Sequence, residues 1–273
     1  METPSRPRSH AYVDLARQLS ARGYAVLRYA RDGAVVVNEE KANAHKRFAE
    51  KVKVLRRACQ ILRDLEPGIK GLAVAGHSEG RVVALMLLME PRAENTRVDA
   101  YISLSGPAFL FFDIMMNQVE ANSRNGIMEF SGSRVSLNLY KRSILMIRYG
   151  ENIPQDIVEK LPPYGFRARN EEDKQYLRDY DTVDPSKLIA EVNVPVIIVH
   201  GGRDVSVPPD NADKLFEAGR GAKVGTCRAF FPELQHYYKW MPPGMSAMEA
   251  IGLDTESDEE VSGAIRKWLS LLS

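Results

Sequence analysis

Residues 71–80 read GLAVAGHSEG: an apolar run is followed at once by the pattern G-x-S-x-G at positions 76–80. The stretch from Val82 to Met89 is apolar enough for a buried helix, so the pattern stands between a predicted strand and a predicted helix. The backbone of such a turn is crowded and strained, which favours glycine two residues before and two residues after the serine. The N-terminus of the helix also favours negative charge beside the serine. We interpret Ser78 as a candidate nucleophile, and a purely structural turn is the alternative.

Length and charge limit the classes of function. The chain has 273 residues, enough for one large domain or one domain with an insertion. Its 37 basic and 36 acidic residues nearly cancel, so we expect no basic surface for nucleic acid or for an anionic membrane. No run approaches the ~20 apolar residues of a membrane span, and residues 1–9 lack the apolar core of a signal peptide. The composition predicts a soluble, cytoplasmic protein.

Neither the cysteines nor the glycines indicate a cofactor. Cys59 lies in a helical pattern and Cys227 in a strand pattern, far apart and without the spacing of metal ligands. Both are predicted to be buried free thiols. The pair Gly201-Gly202 is too short for a dinucleotide-binding loop. We expect no cofactor and no metal.

Apolar runs and helical patterns alternate along most of the chain. Strands separated by helices of this length predict a mainly parallel sheet with helices on its faces, which is an α/β fold with about five to six strands. The predicted helices are 12–22, 48–65, 82–89 and 260–272; the predicted strands are 24–29, 71–75, 98–105, 194–200 and 224–231, with 34–37 either an edge strand or part of a loop.

The alternation breaks between residues 108 and 187. Roughly eighty residues without a strand pattern are far longer than an ordinary connection, so we interpret 108–187 as an inserted, mostly helical lid. The core is then formed by residues 1–107 and 188–273. Phe109 and Phe112, near the start of the lid, are candidates for contact with an apolar substrate group, and packing inside the lid is the alternative.

A serine nucleophile needs a base within hydrogen-bonding reach, and histidine is the usual one. His236 is the preferred base because it lies in a loop after the last predicted strand, where parallel sheets carry their reacting groups. His77 precedes the serine on the turn itself, so its ring is expected to point away from the hydroxyl. We place it, with Glu79, among the residues beside the substrate. His200 ends a strand and either lines the site or packs.

Asp204 is the candidate for the third group, which orients the base. It follows the strand at 194–200 by one short turn, a position where aspartate is also common for structural reasons alone. The order Ser78, Asp204, His236 matches the arrangement of known hydrolases, and this order favours the catalytic reading. Asp210 is a competitor, but its position indicates the N-cap of a following helix.

The sequence segments that carry Ser78, Asp204 and His236 resemble those of the α/β-hydrolase superfamily. The chain is most similar to lidded serine hydrolases, the dienelactone-hydrolase-like and serine-aminopeptidase-like esterases. The resemblance implies Ser78 as nucleophile, His236 as general base and Asp204 as the orienting acid. It also implies a small-molecule ester or acyl substrate and a lid that shapes its pocket. The similar segments are RGYAVLRYARDG (22–33), GLAVAGHSEG (71–80), AYISLSGPA (100–108), VPVIIVHGGRDVSVPP (194–209) and FFPELQHYYK (230–239).

The start of the chain departs from that family. Members usually have two or three strands before the first helix, and one of these leads into a His-Gly loop whose N–H completes the oxyanion hole. No His-Gly pair precedes Tyr12 here. We therefore expect the N–H of Glu79 as one oxyanion donor, with the second donor missing or supplied by residues 5–12. Absent strands would leave a sheet edge exposed, and a homodimer could cover it.

Three functions remain open from the sequence. The first is an ester hydrolase that works through an acyl-serine intermediate. The second is a thioesterase or peptidase of the same fold, because the triad alone does not set specificity. In a peptidase, Glu171, Glu172 and Asp173 could receive a substrate amino group, and a solvated charged surface is the alternative. The third is a hydrolase fold kept for binding, with little catalysis.

Overall fold

A four-stranded parallel sheet forms the centre of the fold in a computed structural model, which describes residues 11–29, 48–91, 96–124, 137–158, 171–222, 224–245, 249–250 and 253–272. The strands are β1 (Ala73–His77), β2 (Ala100–Leu104), β3 (Val196–Gly201) and β4 (Thr226–Phe231), side by side in that order. Each neighbouring pair is parallel. The carboxyl ends of the four strands therefore meet at the same end of the sheet.

Helices connect the strands and cover the sheet. They are α1 (Ala11–Ser20), α2 (Phe48–Leu65), α3 (Glu79–Met89), α4 (Phe111–Arg124), α5 (Leu137–Arg148), α6 (Gln155–Val158), α7 (Glu171–Asp181), α8 (Pro185–Glu191), α9 (Asp210–Gly219) and α10 (Glu259–Leu269).

The central strands are buried on both faces. On β3, Val196 and Ile198 belong to an apolar cluster with α2, α3, α8 and α9. Ile197 and Val199 belong to a second cluster, with α1 and α10 on the opposite face. Burial on both faces explains why these strands are continuous apolar runs in the sequence instead of alternating patterns. The two clusters fix the strand ends from which the site is built.

Local chemistry sets the start of two helices. The carboxylate of Asp184 accepts hydrogen bonds from the N–H groups of Ser186 and Lys187, and Pro185 takes the first position of α8, where its missing N–H costs nothing. The carboxylate of Asp258 caps α10 in the same way, by accepting from the N–H of Glu260. Helix α8 leads into β3, so its cap helps to hold that strand connection, and α10 packs on one face of the sheet.

Most elements predicted from the sequence are confirmed. The helix predicted at 48–65 has the predicted bounds. The strands predicted at 71–75, 98–105, 194–200 and 224–231 are all present, and each begins two residues later than predicted. The helices predicted at 12–22, 82–89 and 260–272 are also present, with shifted ends.

The predicted buried strand at 24–29 is wrong. This segment is outside regular secondary structure, and residues 25–29 are exposed. A strand is stable only beside a partner, and within the described residues β1 pairs with β2 alone; residues 24–29 border the groove along the outer edge of β1 without forming a ladder with it. The described part of the chain thus has four strands, where five to six were expected. Residues 34–37 lie outside it.

The segment 108–187 lies between β2 and β3, and its described residues contain the four helices α4 to α7 and the start of α8, which continues to Glu191. Helices α4 and α5 pack around an apolar cluster of their own, which includes Phe112, Tyr140 and Ile144. Helix α8 differs, because Ile189 packs with the sheet. Tyr180 of α7 also packs in the core cluster that contains Ile189, so the segment combines helices around their own apolar cluster with residues that pack against the core.

The two cysteines differ in burial. Cys59 is buried within α2, as predicted, whereas Cys227 is exposed and the prediction of a buried thiol there is wrong. Cys227 lies on β4, an edge strand with several solvent-facing residues. Among the described residues, no group of three His, Cys, Asp or Glu side chains could hold a metal ion. In the same part of the chain, every helix is too short or too polar to cross a membrane.

Candidate active site

Ser78 occupies a strained turn between β1 and α3. Its backbone angles are φ 52° and ψ −123°, which are rare for a residue other than glycine. Its N–H donates to the carbonyl of Leu104 at the end of β2 (2.9 Å), and its carbonyl accepts from the N–H of Arg81 (3.1 Å). These two bonds hold the serine at the carboxyl end of the sheet and at the N-terminus of α3.

The two glycines of the motif have different roles. A Cβ on Gly76 would lie 2.5 Å from the Cα of Arg81, so the close approach of β1 and α3 requires glycine there. A Cβ on Gly80 would meet no atom of the described residues within 4 Å. The expectation of a required glycine on both sides of the serine is therefore right for Gly76, and Gly80 has no such steric need.

Asp204 lies in the turn after β3 and is only 3% exposed. Its Oδ1 accepts hydrogen bonds from the N–H groups of Ser206 (2.9 Å) and Val207 (2.8 Å). Its Oδ2 lies 2.7 Å from Nδ1 of His236. Because a carboxylate only accepts, Nδ1 carries the proton, and Nε2 of the neutral ring is left as an acceptor. This is the tautomer that a general base needs.

Opposing effects determine the pKa of Asp204. Burial alone would raise this pKa, but the nearby charge of His236 and the hydrogen bond from its ring lower it. His200 and the N–H of Val207 contribute in the same direction, and the pKa ends below its ordinary value. Asp204 is therefore ionised at neutral pH and can stabilise a positive charge on the His236 ring.

The competing acid and base have other roles. Asp210 is the first residue of α9, and Pro209 takes the N-cap position, so the prediction of Asp210 as N-cap is wrong by one residue. The Nε2–H of His200, which is fully buried, donates to the carbonyl of Val207 (2.9 Å). Burial lowers the pKa of His200. This neutral ring packs beneath the turn that holds Asp204.

The loop that carries His236 lies directly against the end of β3. A Cβ on Gly201 would lie 2.3 Å from the carbonyl oxygen of Leu234, so this approach also requires glycine. The N–H of Arg203 donates to the same carbonyl (3.0 Å). Beyond His236, Tyr238 has φ 59°, an uncommon conformation for a bulky residue. The histidine loop is thus held in a defined shape on the end of the sheet.

Ser78 and His236 border the same groove, which has a volume of about 1740 Å³ and also runs along the outer edge of β1. Within the described residues no hydrogen bond joins the Ser78 hydroxyl to the His236 ring. In hydrolases this bond often becomes short only when substrate is bound. The structure therefore brings Ser78, Asp204 and His236 to one end of the sheet, with the Asp204–His236 pair already formed.

Glu79 follows the nucleophile as the first residue of α3. Its carboxylate forms an ion pair with Lys51 of α2 and accepts a hydrogen bond from the hydroxyl of Tyr176 on α7 (3.0 Å). Its side chain is therefore turned toward α2 and the 108–187 segment. The backbone N–H of Glu79 lies in the first turn of α3, at the positive end of the helix dipole.

Phe109 and Phe112 pack against other side chains of the protein. Phe112 is fully buried in the α4–α5 cluster. The ring of Phe109 lies beneath the ammonium of Lys214, 3.8 Å from the ring centroid. Neither residue borders the groove at Ser78. Their described contacts are those of packing residues, and a substrate contact for either one stays a prediction.

His77 lies beside the candidate catalytic residue His236, and two of the partners of His77 were not predicted from the sequence. Tyr12 of α1 contacts its Nδ1, and Tyr237 stacks on its ring with centroids 5.6 Å apart. Tyr12 belongs to an amphipathic helix, where an exposed tyrosine has no distinctive pattern. Only the packing of α1 against the end of β1 could reveal its place.

A parallel sheet with a serine turn, an aspartate and a histidine at its carboxyl end defines an α/β-hydrolase. A family model described as Serine aminopeptidase, S33 matches residues 7–237. Because this match covers most of the chain, the protein belongs to that family of α/β-hydrolases.

Individual relatives are more distant. Esterase EstD from Thermotoga maritima is 24% identical over 198 residues, which cover 72% of this chain and 42% of EstD. The chain thus spans less than half the length of that relative. The structure is also similar to the esterase domain of a Rhodothermus marinus protein (17% identity, TM-score 0.51, 97% of this chain and 82% of the other). It is similar as well to the esterase EaEST from Exiguobacterium antarcticum (14%, TM-score 0.52, 99% and 90%). At these identities the two structures support the fold alone.

Proposed function

We propose that the protein is a serine hydrolase that cleaves carboxylic esters of small molecules through an acyl-serine intermediate. The observation that carries this proposal is the buried Asp204–His236 pair, 2.7 Å apart, at the same end of the sheet as the strained turn of Ser78. Ester substrates are favoured because the sequence relative EstD is an esterase by name.

In the first half of the proposed reaction, Oγ of Ser78 attacks the ester carbonyl carbon while Nε2 of His236 takes the hydroxyl proton. Asp204 keeps its hydrogen bond from Nδ1 and stabilises the imidazolium, without taking that proton itself. The carbonyl oxygen becomes an oxyanion near the N-terminus of α3, and the N–H of Glu79 is its proposed donor. His236 then protonates the leaving alcohol, and the acyl group stays on Ser78.

In the second half, Nε2 of His236 takes a proton from water, and the oxygen of that water attacks the acyl carbon. The ester bond to Ser78 breaks, and the proton returns to Oγ. The products are a carboxylic acid and the free enzyme. The same base thus acts twice, which requires its ring to keep one orientation through the cycle.

We assign to the 108–187 segment the role of a lid that shapes the acyl or alcohol pocket. This assignment is supported by the contact of Tyr176, on α7, with the carboxylate of Glu79, the residue that follows the nucleophile. Lys51 joins the same cluster from α2. The segment is therefore attached close to the serine turn, where a lid must lie to affect the substrate.

Hydrolysis of p-nitrophenyl esters by the wild type and by Ser78→Ala tests the function. We expect the substitution to lower kcat by at least about 10³-fold, because the nucleophile is lost. Ser20→Ala is the matched control, since Ser20 is exposed at the end of α1. Equal rates for the wild type and Ser78→Ala would contradict the proposal.

An aminopeptidase is the second candidate, favoured by the description of the family. The acidic residues Glu171, Glu172 and Asp173 form the first turn of α7, and Glu171 is ion-paired with Lys174 (2.6 Å). A substrate amino group would have to compete with that lysine. Comparing kcat/KM for an amino-acyl p-nitroanilide and for the p-nitrophenyl ester of the same amino acid separates the two functions. A higher value for the anilide would favour the peptidase.

A further inference from the structure

His77 connects two parts of the chain that the triad does not join. Its Nδ1 lies 2.8 Å from the hydroxyl of Tyr12 on α1. Its Nε2 lies 2.9 Å from the backbone carbonyl oxygen of His236. The rings of His77 and His236 are also in contact, with centroids 4.5 Å apart. A side chain on the serine turn therefore reaches the main chain of the histidine loop.

The partners fix the protons on this ring. A carbonyl oxygen only accepts, so Nε2 of His77 carries the hydrogen and donates it. In a neutral ring Nδ1 is then the acceptor, and the hydroxyl of Tyr12 donates to it. Burial, followed by the repelling charge of His236, lowers the pKa of His77 to about 3. His77 therefore stays neutral at neutral pH, even when His236 holds a second proton.

The same bonds exclude His77 as the general base. Nε2 is committed to the carbonyl of His236 and Nδ1 to Tyr12, so neither nitrogen is available to the hydroxyl of Ser78. The hydrogen bond from His77 instead holds the backbone of His236, to which the ring of His236 is attached. Asp204 restrains the ring of His236, but a ring restrained at one nitrogen can still shift if its backbone moves.

The backbone beyond His236 is under strain. Tyr238 has φ 59°, and such a conformation persists only where surrounding contacts impose it. Tyr238 itself is held by hydrogen bonds to the carbonyls of Gln235 (2.9 Å) and Val199 (3.2 Å). His77 holds the two residues before Tyr238, through the carbonyl of His236 and through stacking on Tyr237 with 22° between the ring planes. Loss of the bond from His77 to the carbonyl of His236 would allow the loop to relax away from Ser78.

We propose that His77, oriented by Tyr12, is a positioning residue that fixes the main chain of His236 so that its ring faces Ser78. This inference rests on the proposed triad. His77 itself touches neither the substrate carbonyl nor the transferred proton. A displacement of about 1 Å at a reacting group can lower a rate by roughly 10²-fold. Loss of the contact between His77 and the backbone of His236 should therefore change the rate of hydrolysis measurably.

Three substitutions test this role: His77→Phe, His77→Gln and Tyr12→Phe. His77→Phe keeps a ring but removes the donor, and we expect kcat for a p-nitrophenyl ester to fall by about 10- to 100-fold with KM within about twofold. His77→Gln keeps an N–H donor and is expected to recover most of that loss. Tyr12→Phe removes only the orienting hydroxyl, so a fall of about 3- to 10-fold is expected.

The double variant Tyr12→Phe with His77→Phe tests most directly whether Tyr12 acts through His77. If Tyr12 acts through His77, its substitution has no further effect once the donor is gone, and the two losses do not multiply. Tyr149→Phe, at a tyrosine that is 71% exposed, is the matched control. Full additivity, or a kcat for both Tyr12→Phe and His77→Phe equal to that of the wild type, would overturn the inference.

Folding and function can be separated in the same experiment. If His77→Phe does not fold, Tyr12→Phe and His77→Gln still test the positioning role. Both substitutions keep the size of the side chain close to the original, so both variants are expected to fold. A wild-type rate in Ser78→Ala would instead overturn the proposed function. Wild-type rates in the His77 and Tyr12 variants, together with an inactive Ser78→Ala, would overturn only the positioning role.

Discussion

Steric contacts at the serine turn make the two motif glycines unequal. We expect Gly76→Ala to lower the free energy of unfolding by roughly 1–3 kcal/mol, because the new Cβ would press on the backbone of Arg81. Gly80→Ala should leave stability unchanged or raise it by up to about 1 kcal/mol, since alanine is the better helix former and the position is open. Urea unfolding of both variants measures the difference, and equal stabilities would contradict the geometry described.

The contact between Asp204 and His236 predicts a large kinetic effect. Asp204→Asn removes the carboxylate that holds Nδ1–H, and an amide can equally present N–H groups, which favour the wrong tautomer. We expect kcat for ester hydrolysis to fall by roughly 10³- to 10⁴-fold. Asp210→Asn is the matched control, because Asp210 lies in α9 and does not contact His236. A comparable loss in both variants would show that the assignment of the acid is incorrect.

The lowered pKa of His77 in the folded protein predicts that the stability of the protein depends on pH. Its pKa is about 3 in the folded protein and near its ordinary 6.5 when unfolded, so between these values the unfolded chain binds the extra proton. The stability from this group is present above about pH 6.5 and is lost as the pH falls toward 3. His77→Gln should therefore show a smaller loss of stability than the wild type between pH 7 and pH 5, by chemical denaturation. Parallel curves would contradict the neutral state of His77.

At the scale of elements, the sequence predicted those helices, strands and turns that depend on local sequence patterns. Helix 48–65 and four strands follow from apolar periodicity, and the serine turn follows from its glycines and its place between a strand and a helix. The segment 24–29 has the composition of a strand but no paired strand among the described residues, and composition alone does not reveal whether a pairing partner is present. Strand pairing depends on two segments, so the sequence of residues 24–29 alone could not show that this segment lacks a partner strand.

The candidate site was predictable to a similar degree. Ser78, Asp204 and His236 could be named because each follows a strand, and parallel strands place their carboxyl ends together. The role proposed for His77 could not be derived from the sequence, because it depends on Tyr12, which only the packing of α1 brings to the serine turn. Phe109 and Phe112 carry no local signal that separates a substrate contact from core packing.

Hydrogen exchange tests the arrangement of the strands. We expect the amides of β2 and β3 to exchange slowest, since these central strands are buried on both faces and paired on both edges. Amides of residues 25–29 should exchange fast, because the segment is exposed and forms no ladder. Protection of 25–29 as strong as that of β3 would mean that this segment is paired in solution, contrary to the structure.

At the scale of the whole molecule, the site exists only because the four described strands are assembled into one sheet. The serine follows β1, the aspartate follows β3 and the histidine follows β4, so no single unit of the chain contains the chemistry. Two apolar clusters hold the sheet from opposite faces and keep these strand ends together. Loss of either cluster should therefore abolish the site even where the three residues are untouched.

A fluorophosphonate probe with mass-spectrometric mapping tests the central claim most directly, because phosphonylation requires a serine activated by its base. We predict one adduct per chain, on the peptide that contains Ser78, absent in Ser78→Ala and at least about tenfold slower in Asp204→Asn. Labelling of a different serine, or no labelling of the folded wild-type protein, would contradict the claim that Ser78, His236 and Asp204 act together.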